Sequence, residues 1–111
     1  LVQHSTNLST TYSVQWGCFI YNDTLLFEYS NDHGHAATVN VILEDDQGNG
    51  WLASGSVSWT EGETQKKYLE FRGFPQRADG SVMDSCYRTA TLTNDASPGT
   101  GYEVGEKIYR G

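Results

Sequence analysis

The chain has 111 residues, 37% of them hydrophobic and 13% aromatic, with a formal net charge of −7. That length fits a single domain, 1–111, with a modest core, and so low an apolar share leaves the core to rest on Trp, Tyr and Phe. The negative charge sets nucleic acid and anionic membrane surfaces aside as partners, since both repel it at long range, and no apolar run approaches the roughly 20 residues that insertion across a bilayer needs.

Leu1 to Thr11 lacks the basic, apolar, small-residue order of a signal peptide, so the expectation is a mature soluble chain. From Tyr12 onward period-two alternation recurs and helical periodicity is nowhere sustained. Tyr12, Val14, Trp16, Cys18 and Ile20 alternate with Ser13, Gln15, Gly17, Phe19 and Tyr21, which predicts a first main strand with Cys18 on its apolar face. Asn22-Asp23 then reads as a two-residue hairpin turn, because both residues tolerate left-handed backbone.

The second strand puts Leu25, Phe27 and Tyr29 on one face, and Ser30 to Gly34 supplies a turn. The third puts Ala37, Val39, Val41 and Leu43 on one face, with Thr38, Asn40 and Glu44 on the other. After the polar turn from Glu44 to Gly50, Trp51, Ala53, Gly55, Val57 and Trp59 alternate with Leu52, Ser54, Ser56 and Ser58, and Gly55 predicts a bulge or bend. Lys66 to Arg72 form the fifth strand, with Leu69 and Phe71 inward and Tyr68, Glu70 and Arg72 outward.

A longer loop, Gly73 to Met83, carries Phe74, Arg77 and Asp79, and connections of that length are more often functional than short ones. The sixth strand, Ser85 to Thr93, turns Cys86, Ala90 and Leu92 to one face. Arg88 falls on that same face and must reach its rim or find a partner. Tyr102, Val104 and Ile108 mark the last strand. About seven antiparallel strands with no covering helix predict an all-β sandwich of immunoglobulin-like architecture.

Two cysteines in a small polar domain suggest an oxidising compartment, and a Cys18–Cys86 disulfide would stabilise the fold by about 4 kcal/mol through loop closure. The expected localisation is therefore secreted or extracellular. Asn7-Leu8-Ser9 and Asn22-Asp23-Thr24 match the N-glycosylation acceptor pattern. The first 65 residues hold eight acids and no Lys or Arg, while all seven bases lie from Lys66 onward. Clustering of the N-terminal strands would make one side anionic.

The plan resembles an immunoglobulin-type sandwich in architecture only. Asp84 stands where that family has a Tyr before its second Cys, and a turn at Ser30 to Gly34 stands where its core Trp belongs. Ala37 to Val41 followed by Glu44-Asp45-Asp46 resembles the small secreted β-sandwich inhibitors of α-amylase over about ten residues. That family's Trp-Arg-Tyr triplet is absent, so its activity does not carry across.

Chemistry-bearing clusters are sparse. Asp32 with His33-Gly34-His35 sits at a turn and lacks a third strong ligand, and Asp45 to Asn49 lacks the terminal Glu of an EF-hand, so neither metal nor cofactor is expected. No nucleophile motif is present, which argues against an enzyme. Trp16, Trp51 and Trp59 read as core. Phe19, Tyr21, Tyr68 and Tyr87 fall on polar faces, where planar amphipathic rings suit stacking on sugars or a protein. The reading is a secreted, non-catalytic recognition domain for a glycan or protein, acting through Phe19, Tyr21, Tyr68 and Tyr87 or through Phe74, Arg77 and Asp79. The alternative is an inhibitor or effector that blocks an enzyme with the 73–83 loop.

Overall fold

The computed structural model describes residues 2–9, 13–18, 23–47, 51–73, 77, 79–83, 86–94 and 103–110. Eight strands run through them: β1 (Val2–Ser9), β2 (Ser13–Cys18), β3 (Asp23–Ser30), β4 (Ala37–Glu44), β5 (Trp51–Trp59), β6 (Lys67–Gly73), β7 (Cys86–Asn94) and β8 (Glu103–Arg110). They form two four-stranded antiparallel sheets, ordered β1-β8-β3-β6 and β2-β7-β4-β5. Among the described strands β4 and β5 are the one chain-consecutive pair that also hydrogen-bond to each other. Every other connection crosses between sheets, which makes this an eight-stranded jelly roll.

Three sequence expectations change here. The strand count is eight, because Val2–Ser9 pairs with β8 along its length; among its described side chains Leu8 is the buried apolar one, and the segment gives little alternation signal. The architecture is not immunoglobulin-like, since the strand order interleaves the two halves of the chain instead of following that family's sheets. β2 and β3 do not pair as the hairpin expected around Asn22-Asp23: they lie in different sheets, Asp23 pairs with Gly73 on β6, and Asn22 lies outside the described residues.

The core sits between the sheets and follows the alternation closely. Leu25, Phe27 and Tyr29 from β3 meet Ala37, Val39, Val41 and Leu43 from β4, with Val57, Trp59, Ala90, Leu92, Val104 and Ile108 completing it. Phe71 meets Phe27 edge to face, with ring centroids 5.5 Å apart, and the Trp59 indole donates to Gln65 O at 2.7 Å. Trp16 and Trp51 have side chains outside the described residues.

Gly55 keeps regular register opposite Val41, and the β4–β5 irregularity falls instead between Leu43 and Glu44. Its role is close approach between the sheets. A Cβ there would stand 3.0 Å from Leu69 Cδ2 on β6, so a bare backbone lets that leucine pack inward.

Arg88 finds its partner within the core. From β7 its Nη2 reaches Glu106 Oε1 on β8 at 2.6 Å, both side chains fully buried, and its Nη1 donates to Val14 O on β2 at 3.1 Å. Tyr29, the register partner of Glu106 on β3, donates its hydroxyl to Glu106 Oε2 at 2.7 Å. Burial, and then the adjacent carboxylate, push the Tyr29 phenol well above its ordinary range. Among the described residues this buried group adds a directional link between two sheets that meet largely through apolar side chains.

Among the described residues some acids of the N-terminal half meet bases from the C-terminal half. Glu28 on β3 approaches Lys66 at 3.7 Å, and Glu63 pairs with Lys67 at 2.9 Å. Strand β6, rich in bases, lies directly against β3.

Candidate functional site

Side chains on the outer face of β2-β7-β4-β5 form rows set by register. One row runs Ser13, Thr91, Asn40, Ser56; the next Gln15, Thr89, Ile42, Ser54; the third Gly17, Tyr87, Glu44. A groove of about 700 Å³ lies over β4 and β5, lined by Asn40, Val41, Ile42, Glu44, Ser54, Gly55, Ser56 and Thr89. That volume falls in the range of small-ligand sites. Short Ser and Thr side chains leave the space open where longer ones would fill it.

Around the groove several side chains of this face are paired across strands. Ser13 and Thr91 share a hydrogen bond at 3.0 Å, as do Thr38 and Ser58 at 3.1 Å, and Thr89 Oγ1 donates to Glu44 Oε1 at 3.4 Å. Side chains ordered in this way on a sheet lose little freedom when a ligand arrives. The described residues of this face include one carboxylate, Glu44, and no Lys or Arg. Ile42 and Tyr87 are its exposed large apolar groups, at 41% and 37% exposure.

The opposite outer face, on β1-β8-β3-β6, has a different chemistry. Its rows include Ser5, Lys107, Glu28, Tyr68 and then Tyr109, Leu26, Glu70. Arg72 Nε donates to Glu70 Oε1 at 2.9 Å, and Lys66 lies beside Glu28. Long charged side chains cover this sheet.

The residues singled out from the sequence therefore separate. Tyr87 stands beside the groove, whereas Tyr68, 52% exposed, stands on the far face, so the two rings do not share a surface. Phe19, Tyr21 and Phe74 lie outside the described residues. Arg77 is engaged within the chain: Nε donates to Asp46 Oδ1 at 2.9 Å, Nη2 to Asp46 Oδ2, and Nη1 to Ser81 Oγ at 3.1 Å and Val82 O at 3.3 Å. The Arg77 guanidinium holds the Asp46 carboxyl below its usual range. Asp79 accepts from Ser81 N at 2.9 Å and Ser81 Oγ at 2.6 Å, which lowers its pKa in turn. Arg77 ties the loop to the β4–β5 turn, and Asp79 braces the loop through Ser81.

Cys18 and Cys86 are register partners on adjacent strands, with Cys86 buried. Asn7 is exposed on β1, and Asn22 lies outside the described residues. His33 and His35 flank Gly34, whose φ of 70° explains the turn, and His35 Nδ1 stands 3.8 Å from Glu61 Oε1. Among the described residues no three His, Cys, Asp or Glu side chains converge as metal ligands.

The groove lining was missed from sequence, although one signal was present. Neighbouring strands β4 and β5 carry Thr, Asn and Ser on their outer faces where a solvated sheet more often carries Lys and Glu. Glu106 was missed although alternation with Val104 and Ile108 puts it on their inward face.

Architecture and groove define an eight-stranded jelly-roll domain with an open groove on one sheet, lined by short hydroxyl and amide side chains, Ile42 and the single carboxylate Glu44. No family model and no curated protein matches the sequence. Among solved structures the fold is similar to that of a CBM4 carbohydrate-binding module, at 11% identity and a TM-score of 0.56, covering 99% of this chain and 76% of that one. Weaker likenesses are to an arabinose-bound MgGH51 α-L-arabinofuranosidase (15% identity, TM-score 0.45, 92% of this chain and 18% of that one) and to an infectious bursal disease virus Gt strain structure (11%, 0.46, 96% and 29%). At these identities the likeness is one of fold.

Proposed function

We propose that this domain is a non-catalytic glycan-recognition module that binds its ligand in the outer groove of β2-β7-β4-β5. The observation that carries the reading is the groove itself: an open groove floored by Asn40, Ser54, Ser56 and Thr89, whose amide and hydroxyl groups both donate to and accept from sugar hydroxyls. The jelly-roll likeness to a carbohydrate-binding module supports it. A non-catalytic role fits the lining, which holds the single carboxylate Glu44, whereas glycoside hydrolysis ordinarily uses a pair.

We read the domain as secreted, with Cys18 and Cys86 bridged. Their direct opposition on β2 and β7 supports that pairing, and a mass shift on alkylation only after reduction is the expected result. Protein inhibition through the 73–83 loop is the weaker reading, because Arg77 is held by Asp46, Ser81 and Val82.

Immobilised-oligosaccharide arrays test the function. The wild-type domain should bind at least one glycan. Ser56→Trp, which fills the groove from its floor, should remove that binding while the melting temperature stays within about 3 °C, as an exposed strand position allows. Binding that survives Ser56→Trp would place the glycan elsewhere.

A further inference from the structure

Three residues of the groove lining, Ile42, Glu44 and Thr89, form a square with Tyr87 beside them. Thr89 and Ile42 are register partners in one row, and Tyr87 and Glu44 in the next, two residues along each strand. Along one diagonal lie the exposed apolar groups, Tyr87 and Ile42; along the other lie Thr89 and Glu44, joined by their 3.4 Å hydrogen bond. Diagonal neighbours on such a ladder stand about 7 Å apart, within reach of an aromatic ring. Gly17, opposite Tyr87 on β2, has no side chain with which to cover that ring.

We propose that Ile42, Glu44, Tyr87 and Thr89 are the sugar-reading end of the groove and that they select neutral glycans over uronic-acid or sulfated ones. This rests on the glycan reading above and names its substrate class. A pyranose has apolar C–H faces and a rim of hydroxyls. The Tyr87–Ile42 diagonal offers the faces an apolar platform. Glu44, an acceptor only, takes hydroxyl protons from the rim, and its hydrogen bond from Thr89 sets its direction.

The same carboxylate repels a ligand carboxylate or sulfate, and no described cation on this face offsets it. The bases of β6 and β8 belong to the other sheet, Lys66 reaches Glu28, and Arg77 and Arg88 are held by Asp46 and Glu106. From Asn40 to Glu44 the floor runs roughly 14 Å along β4, so a chain extends past the square over the hydroxyls of β5. The square fixes one sugar unit, and the remaining floor tolerates variation.

Titration calorimetry with neutral gluco-, xylo- and manno-oligosaccharides and with oligogalacturonate of matched length tests the proposal. The best neutral ligand should bind at least about tenfold more tightly than oligogalacturonate, the scale of one like-charge contact at a surface. Glu44→Gln should narrow that ratio by raising oligogalacturonate affinity, a change that mere loss of structure would not produce. Tyr87→Ala should weaken the neutral ligand by about tenfold, and Tyr87→Phe should restore most of it. Equal affinity of the wild type for both ligand classes, or a ratio unchanged in Glu44→Gln, overturns the proposal and leaves glycan binding standing. Absence of binding to every glycan overturns the functional reading and this one together.

Discussion

The two outer faces of the sandwich are built on the same pleat and carry opposite chemistries. On β1-β8-β3-β6 long charged side chains pair with one another, as Glu70 does with Arg72 and Glu28 with Lys66, and cover the sheet. On β2-β7-β4-β5 short hydroxyl and amide side chains pair across rungs, as Ser13 does with Thr91 and Thr38 with Ser58, and leave a groove. A surface satisfied by its own ion pairs has little left to offer a ligand. Hydroxyls keep spare lone pairs after pairing and remain available. The difference separates Tyr68 from Tyr87, two exposed tyrosines that the sequence presents as equivalents.

The largest expected effect lies between the faces, at the link that sets one sheet over the other. Glu106→Ala leaves Arg88 as an uncompensated buried charge and should destabilise the fold by about 3–5 kcal/mol in chemical denaturation. Replacing both partners with apolar residues, Arg88→Met with Glu106→Leu, should recover most of that loss. Recovery of stability without recovery of glycan affinity would show that the ion pair sets the alignment of the floor, since Tyr87 and Thr89 flank Arg88 on β7.

Next in size is a contrast in bulk. Ser54→Trp on the groove face should cost about 2 kcal/mol or more of binding, the level of an interface hot spot, whereas Glu70→Trp on the charged face should leave affinity unchanged. Loss of affinity in both variants would collapse the distinction between the faces.

Tyr29 sharpens the comparison through pH. Its phenol titrates higher in the folded chain than the roughly 10 of an unfolded one, so above that pH the unfolded state releases a proton that the native state retains, and stability falls as pH rises. Tyr29→Phe should lose about 1 kcal/mol at neutral pH with its hydrogen bond to Glu106, and should flatten this alkaline decline. The smallest expected effect is that of Tyr68→Ala: a stability change within about 0.5 kcal/mol and no change in glycan affinity.

Much of the core was legible residue by residue. Leu25, Phe27, Tyr29, Val39, Val41 and Leu43 are buried where alternation places them, and Tyr68, Glu70 and Arg72 face outward on β6 as expected. Arg88 was recognisable as an inward cation in need of a partner. Its partner was not, because Glu106 lies on another sheet and the two meet only when the sheets stack. Seven of the eight groove-lining residues lie on β4 and β5, whose polar faces were legible as outward faces but not as a groove. Thr89 and Tyr87 join them only because β7 inserts beside β4, a pairing between segments some 45 residues apart in the chain.

For β3 to β8 the sequence by itself determined which side of the strand faces inward, because that side follows from a period of two and is a local property of the pleat. It also determined the all-β class and the place of the β4–β5 hairpin. Only the tertiary structure decided which strands are neighbours, since jelly-roll pairing joins distant segments whose local patterns are alike. That choice assigned Tyr87 to the groove and Tyr68 to the charged face, and brought Arg88 within reach of Glu106.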